Sequence, residues 1–149
     1  MDIKYSYRYY KNNNLNTEVR EDKLIFFGTN ESIKILDMNY SKEYFIDTTF
    51  RFIPKKIRPI KMMAVSSKDK NNNTIICLFV FYKYQEKITY DRIFNFLKEN
   101  YNFVPKIVHH DYEYVLYSSL NNSKISGEKI SHAFCYFHYN KAIVDKMIK

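Results

Sequence analysis

The run Thr74–Tyr84, with IICLFVFY at its centre, limits what this chain can become. It is apolar without alternation, rich in β-branched and aromatic residues, and far too short to cross a bilayer. Such a run reads as a strand covered on both faces, so its sheet needs helices packed on it. SSKDKNNN, Ser66–Asn73, precedes it and is a cluster of turn residues. That cluster makes the strand Ile60–Ser67 its hairpin partner. Further upstream, Glu43–Phe52, EYFIDTTFRF, reads as another buried strand, stopped by Pro54.

After the hairpin the pattern changes period. Thr89 is a good cap for a helix over Tyr90–Tyr101, with Ile93, Phe94, Leu97 and Tyr101 on one face. Lys106–His110 is a short strand ending at Asp111. A helix follows over Tyr112–Leu120, then a strand over Ile130–Phe137 and a helix from His138. Before all of these lie a short strand, Lys23–Gly28, and a helix through Ile33, Ile35 and Leu36 capped by Asn30 or Ser32. From Glu43 onward the order is β-β-β-α-β-α-β-α. The first three strands are expected as an antiparallel meander. The later ones return through helices and so pair in parallel. The fold class is α/β, a mixed sheet with helices on its faces. Residues 1–22 read as a polar N-terminal arm and 23–149 as one domain.

The chain has 149 residues, enough for a core without staples. With 2 Gly and 3 Pro, its turns must rely on Asn, Asp and Ser. Two cysteines make no disulfide framework, and Cys77 reads as a buried thiol. No run approaches membrane-spanning length, and Met1–Asn14 lacks the apolar core of a signal peptide. A soluble intracellular protein, with no membrane partner, is expected. The net charge of +8 favours polyanions such as nucleic acid, and equally describes a Lys-rich solvated surface.

Asp47 is the carboxylate in the middle of the Glu43–Phe52 strand. A buried Asp without a partner is costly. Two readings stand: it accepts a hydrogen bond from Thr48 or Thr49, or it holds a metal. In this strand order the first strand can lie beside the fourth, which Asp111 ends. Parallel neighbours would then bring the two carboxylates together at a strand-end crevice. Close carboxylates repel unless a cation neutralises them. Mg²⁺ takes few protein carboxylates and prefers phosphate oxygens as its other ligands.

Four pieces in this order, LIFFGTNESIKIL, YFIDTTFRFIP, PKIVHHDYEYV and CYFHYNKAIV, resemble the Mutator-like element (MULE) transposases, whose catalytic domain is ribonuclease H-like. The resemblance runs from about Lys23 to the C-terminus. It implies that Asp47 and Asp111 are the first two members of a DDE triad. They would bind Mg²⁺ or Mn²⁺ for cleavage and transfer of DNA strands by a transposable element in the nucleus. It also implies a homo-oligomer in the full-length form. Glu113 matches the family's acidic residue after the second Asp, and Cys135 and His138 match its C-x₂-H element. Two positions depart from the pattern. Thr48 stands where the family usually has Gly. The third acid, which the family carries well beyond the C-x₂-H element, is not found; Glu128 comes too early for it, and Asp145 too soon after His138. The chain is therefore expected to be a fragment, inactive alone. The alternative is a domesticated, non-catalytic nucleic-acid-binding module. A ribonuclease acting on RNA–DNA hybrids would need a further carboxylate, with Glu86 or Asp91 nearest to hand.

Cys135 and His138 have zinc-ligand spacing, but zinc takes four ligands and no second pair follows, so a structural role stands beside Zn²⁺. His109 and His110 flank Asp111 as core or surface histidines, or as ligands. The basic loop Lys55, Lys56, Arg58 and Lys61 reads as a nucleic-acid backbone grip or as an ordinary solvated loop.

Overall fold

A computed structural model describes residues 3–13, 19–37, 42–49, 60–121, 125, 127 and 129–148. The elements are β1 (Ile3–Asn13), β2 (Val19–Thr29), α1 (Asn30–Asp37), β3 (Glu43–Thr49), β4 (Lys61–Lys68), β5 (Thr74–Tyr82), α2 (Lys87–Tyr101), β6 (Ile107–His110), α3 (Tyr114–Leu120), β7 (Ser131–Phe134) and α4 (Tyr136–Met147). One seven-stranded sheet runs in the order β1-β2-β5-β4-β3-β6-β7.

From β3 onward the element order is the β-β-β-α-β-α-β-α expected from the sequence. β3, β4 and β5 form the antiparallel meander. β6 lies beside β3 in parallel, and β7 beside β6 in parallel. The hairpin between β4 and β5 is built on Asp69 in place of glycine. Its Oδ1 accepts from the backbone N–H groups of Asn71 (2.8 Å) and Asn73 (2.9 Å), and Asn72 takes a φ of 65°. An Asx carboxylate mimics a backbone turn, and Asn tolerates the left-handed region. Asn102 does the same at the end of α2, with φ 50°.

The N-terminal residues differ from the expected arm. Residues 3–13 and 19–29 are an antiparallel strand pair, and β2 joins it to β5 at Ile25↔Phe81. The signal is an alternation of Ile3, Tyr5, Tyr7 and Tyr9 with Lys4, Ser6 and Arg8, the two-residue period of a strand. The connection over 14–18 lies outside the described residues.

The core lies between the sheet and α1, α2 and α3. Leu24, Phe26, Tyr44, Ile46, Met63, Val65 and Val80 meet Ile33, Leu36, Ile93, Phe94, Leu97 and Leu116. Phe103, just after α2, stacks between Phe94 (ring centroids 5.9 Å) and Tyr44 (4.6 Å), tying the helix layer to β3. The other face is covered less than IICLFVFY suggests: Phe79 and Phe81 are half-buried and Ile76 is exposed. α2 starts earlier than its expected Thr89 cap. Glu86 takes the cap position without a side-chain cap bond to the helix, and Thr89 is buried within the helix. At α1, Thr29 and Ser32 cap each other: Ser32 N donates to Thr29 Oγ1 (3.0 Å) and Thr29 N to Ser32 Oγ (3.1 Å). Ser32 Oγ also donates to the Cys77 carbonyl at 2.7 Å. Cys77 is buried, as expected, and burial pushes its thiol up to about 12.

Gly28 lets α1 approach β5. A Cβ there would sit 2.7 Å from the Cys77 carbonyl oxygen and 3.0 Å from Ile33 Cγ1. Gly28→Ala is expected to cost about 1–3 kcal/mol, as overpacking does. Urea unfolding should show it as a lower midpoint at unchanged slope. Among the described residues no helix is long and apolar enough to cross a membrane.

Candidate cation site at the ends of β3 and β6

The geometry begins with the β3–β6 register. Their last described pair is Ile46↔His110, and the next residue on each chain is Asp47 and Asp111. Neighbouring strands run about 4.8 Å apart, so the backbones of Asp47 and Asp111 stand at adjacent carboxyl ends of parallel strands. Both line one cleft of about 650 Å³.

The two residues sit differently. On β3, Tyr44, Ile46 and Thr48 turn into the core and are buried, while Asp47 is exposed on the opposite face. The expectation of a buried Asp47 is therefore corrected. The strand alternates: Tyr44, Ile46 and Thr48 make the covered face, and Glu43, Phe45 and Asp47 the opposite one, which leaves Asp47 exposed. Phe45, its neighbour on that face, is half-buried and stacks on His109 with centroids 4.4 Å apart. His109 Nε2 in turn lies 2.7 Å from Glu43 Oε1, and Lys68 Nζ lies 2.8 Å from Glu43 Oε2. Lys68, and then His109, hold the Glu43 carboxyl below its usual range against the opposing effect of burial.

Asp111 is half-buried. Thr48 Oγ1 donates to its Oδ2 at 3.1 Å. Thr48 thus bonds Asp111 across the strand gap. Asp111 Oδ1 is buried without a hydrogen-bond partner among the described residues. A buried oxygen of this kind is costly unless something fills its coordination. It fits a hard cation, which takes carboxylate oxygens and completes its shell with water.

Glu113 lies on the other side of Asp111. It accepts from Tyr90 OH at 2.9 Å, and Tyr82 OH and Tyr90 OH lie 3.2 Å apart. Burial, with a smaller contribution from the nearby Asp111 charge, raises the Glu113 carboxyl; Gln85 and Tyr90 oppose the shift. Lys61 hydrogen-bonds Gln85. Lys61 is the first residue of β4 and turns into this network, away from the solvated loop in which the sequence placed it. Lys55, Lys56 and Arg58 lie outside the described residues.

The far wall of the cleft comes from β7 and α4. The sequence extended β7 to Phe137, but it ends at Phe134 and α4 starts at Tyr136. Cys135 is the residue before the helix, and its N–H donates to the His110 carbonyl at 2.8 Å, which fixes the start of α4 beside Asp111. Cys135, His138 and Lys141 all line the cleft. His138 Nδ1 is buried without a hydrogen-bond partner among the described residues. Lys141 was not singled out by the sequence; it is one of 24 Lys and Arg residues, and only the helix start shows where it points. Among the described residues no three His, Cys, Asp or Glu side chains converge enough to hold one metal ion together. A two-carboxylate cation site with water ligands is the arrangement these residues fit.

His110 and His132 form a separate chain: His110 Nδ1 lies 2.7 Å from the Asp111 carbonyl, and His110 Nε2 lies 2.8 Å from His132 Nδ1. Burial lowers both imidazoles. The carboxylates considered for an RNA–DNA nuclease lie elsewhere. Glu86 precedes α2, and Asp91 bonds Lys87 and Ser119 between α2 and α3. Asp145 is exposed on α4. The chain matches no protein-family profile and no curated protein.

Proposed function

We propose that this chain carries a DDE-type transposase core of the ribonuclease H-like class, acting on DNA with Mg²⁺ or Mn²⁺ held by Asp47 and Asp111. The observation that carries the reading is the parallel β3–β6 register, which puts Asp47 and Asp111 at the ends of neighbouring strands, both on the lining of one cleft. The element order from β3 to α4 supports the ribonuclease H-like assignment, and the MULE resemblance supports DNA in the nucleus as substrate. When bound, the cation polarises a phosphodiester and activates the attacking water or hydroxyl. Asp47 supplies a solvent-reaching carboxylate. Asp111 supplies one held by Thr48, so its free Oδ1 keeps its direction. Glu113, half-buried and bonded by Tyr90 OH, braces the loop after β6.

A second reading, a non-catalytic nucleic-acid-binding module, is favoured by the net charge of +8. Fluorescence anisotropy with a labelled DNA duplex separates them. Binding that falls steeply with salt and strengthens with Mg²⁺, the metal effect being lost in Asp47→Asn, is the expected result. Salt-dependent binding indifferent to Mg²⁺ selects the module. No binding at low salt defeats both readings.

A further inference from the structure

The two walls of the cleft have opposite character. The sheet wall offers Asp47 and Asp111. The helix wall offers Lys141 and His138, three residues apart and so on one face of α4. We propose that Lys141 and His138 form a subsite for a phosphoryl oxyanion, which enters together with the divalent cation and lies between it and α4. This rests on reading Asp47 and Asp111 as the cation site.

Three observations point to an anion on this wall. Lys141 is a flexible cation with no carboxylate partner among the described residues. His138 Nδ1 is a buried polar atom with no hydrogen-bond partner among the described residues, on the same lining. α4 is a twelve-residue helix whose cap residue, Cys135, lines the cleft and makes no side-chain cap bond, so its positive end faces the same space. The pairing with a cation follows from charge. An anion alone would meet Asp47 and Asp111, and a cation alone would leave Lys141 opposed by like charge. A cation and a phosphoryl group together neutralise both walls, and Mg²⁺ favours phosphate oxygens as its remaining ligands. Each ligand must then raise the affinity for the other by the same factor. Backbone phosphodiester and free phosphate share this chemistry.

The test uses the full chain, inorganic phosphate and the dinucleotide thymidylyl-thymidine, followed by ³¹P NMR with Mg²⁺ and with paramagnetic Mn²⁺. The expected result is at least about a tenfold gain in phosphoryl affinity with Mg²⁺, a factor worth 1.4 kcal/mol. Bound Mn²⁺ should strongly broaden the ³¹P signal. Lys141→Gln and His138→Gln should each lose most of that gain while binding Mn²⁺ as the parent does, and Lys141→Arg should keep it. Mn²⁺ binding with a ³¹P response unchanged in Lys141→Gln and His138→Gln overturns the subsite and leaves the cation site standing. No Mn²⁺ binding at all removes the cation site and the inference with it. A coupled response from the dinucleotide supports a nucleic-acid backbone as the source; one from inorganic phosphate alone supports the subsite and contradicts the DNA reading.

Discussion

Asp47→Asn and Asp111→Asn are each expected to cut divalent-cation affinity by more than the roughly 10–100-fold that follows loss of a supporting group around a metal. Each removes a formal charge and one hard oxygen, the two things a Mg²⁺ or Mn²⁺ ion draws from protein. Neither should unfold the chain. Asp47 is exposed, and at position 111 the amide oxygen still accepts from Thr48 Oγ1. Calorimetric titration with Mn²⁺ reads the affinity directly, and thermal unfolding gives an independent check. A ligand at a hundred times its Kd stabilises the native state by about 2.7 kcal/mol. The parent protein should gain stability with added Mn²⁺, and both variants should gain far less. Equal affinity in parent and variants would place any cation elsewhere.

Phe94→Ala carries the largest expected effect on stability. Phe94 is fully buried on α2, with ring centroids 6.4 Å from Tyr90 and 5.9 Å from Phe103. Truncating a buried Phe costs about 3–5 kcal/mol, a large share of the 5–15 kcal/mol that a domain of this size holds. Urea unfolding by circular dichroism should show the midpoint falling accordingly. The loss reaches the site as well, because Phe103 also packs on Tyr44 of β3, three residues before Asp47. A cost below about 1 kcal/mol would contradict the packing of α2 on the sheet.

The order of elements was legible because its signals are strong. IICLFVFY is too apolar for a loop, DKNNN breaks the strand before it, and Ile93, Phe94 and Leu97 keep helical spacing. The place of β6 beside β3 was legible for a related reason: helical returns force the later strands to run parallel to the first. β1 was missed although its alternation is present, because its polar positions and the Asn residues that follow read as an arm. The exposure of Asp47 was missed although its alternation is present: Tyr44 and Ile46 share one face and Glu43 and Asp47 the other, but Phe45 on the polar face makes the run read as buried throughout. Phe45 meets His109 there instead of a helix. The Thr48–Asp111 bond and the place of Lys141 depend on strand register and on where α4 starts. A shift of one residue in either would turn those side chains away.

The central claim is that Asp47 and Asp111 share a divalent cation. Anomalous diffraction from crystals of the parent protein soaked in Mn²⁺ tests it most directly. A peak within about 2–2.5 Å of an oxygen of each carboxylate, the reach of a hard-cation ligand, is the expected result. A Mn²⁺ peak bound at other residues, or the two carboxylates standing more than about 10 Å apart on a metal-bridging scale of a few ångströms, would contradict it.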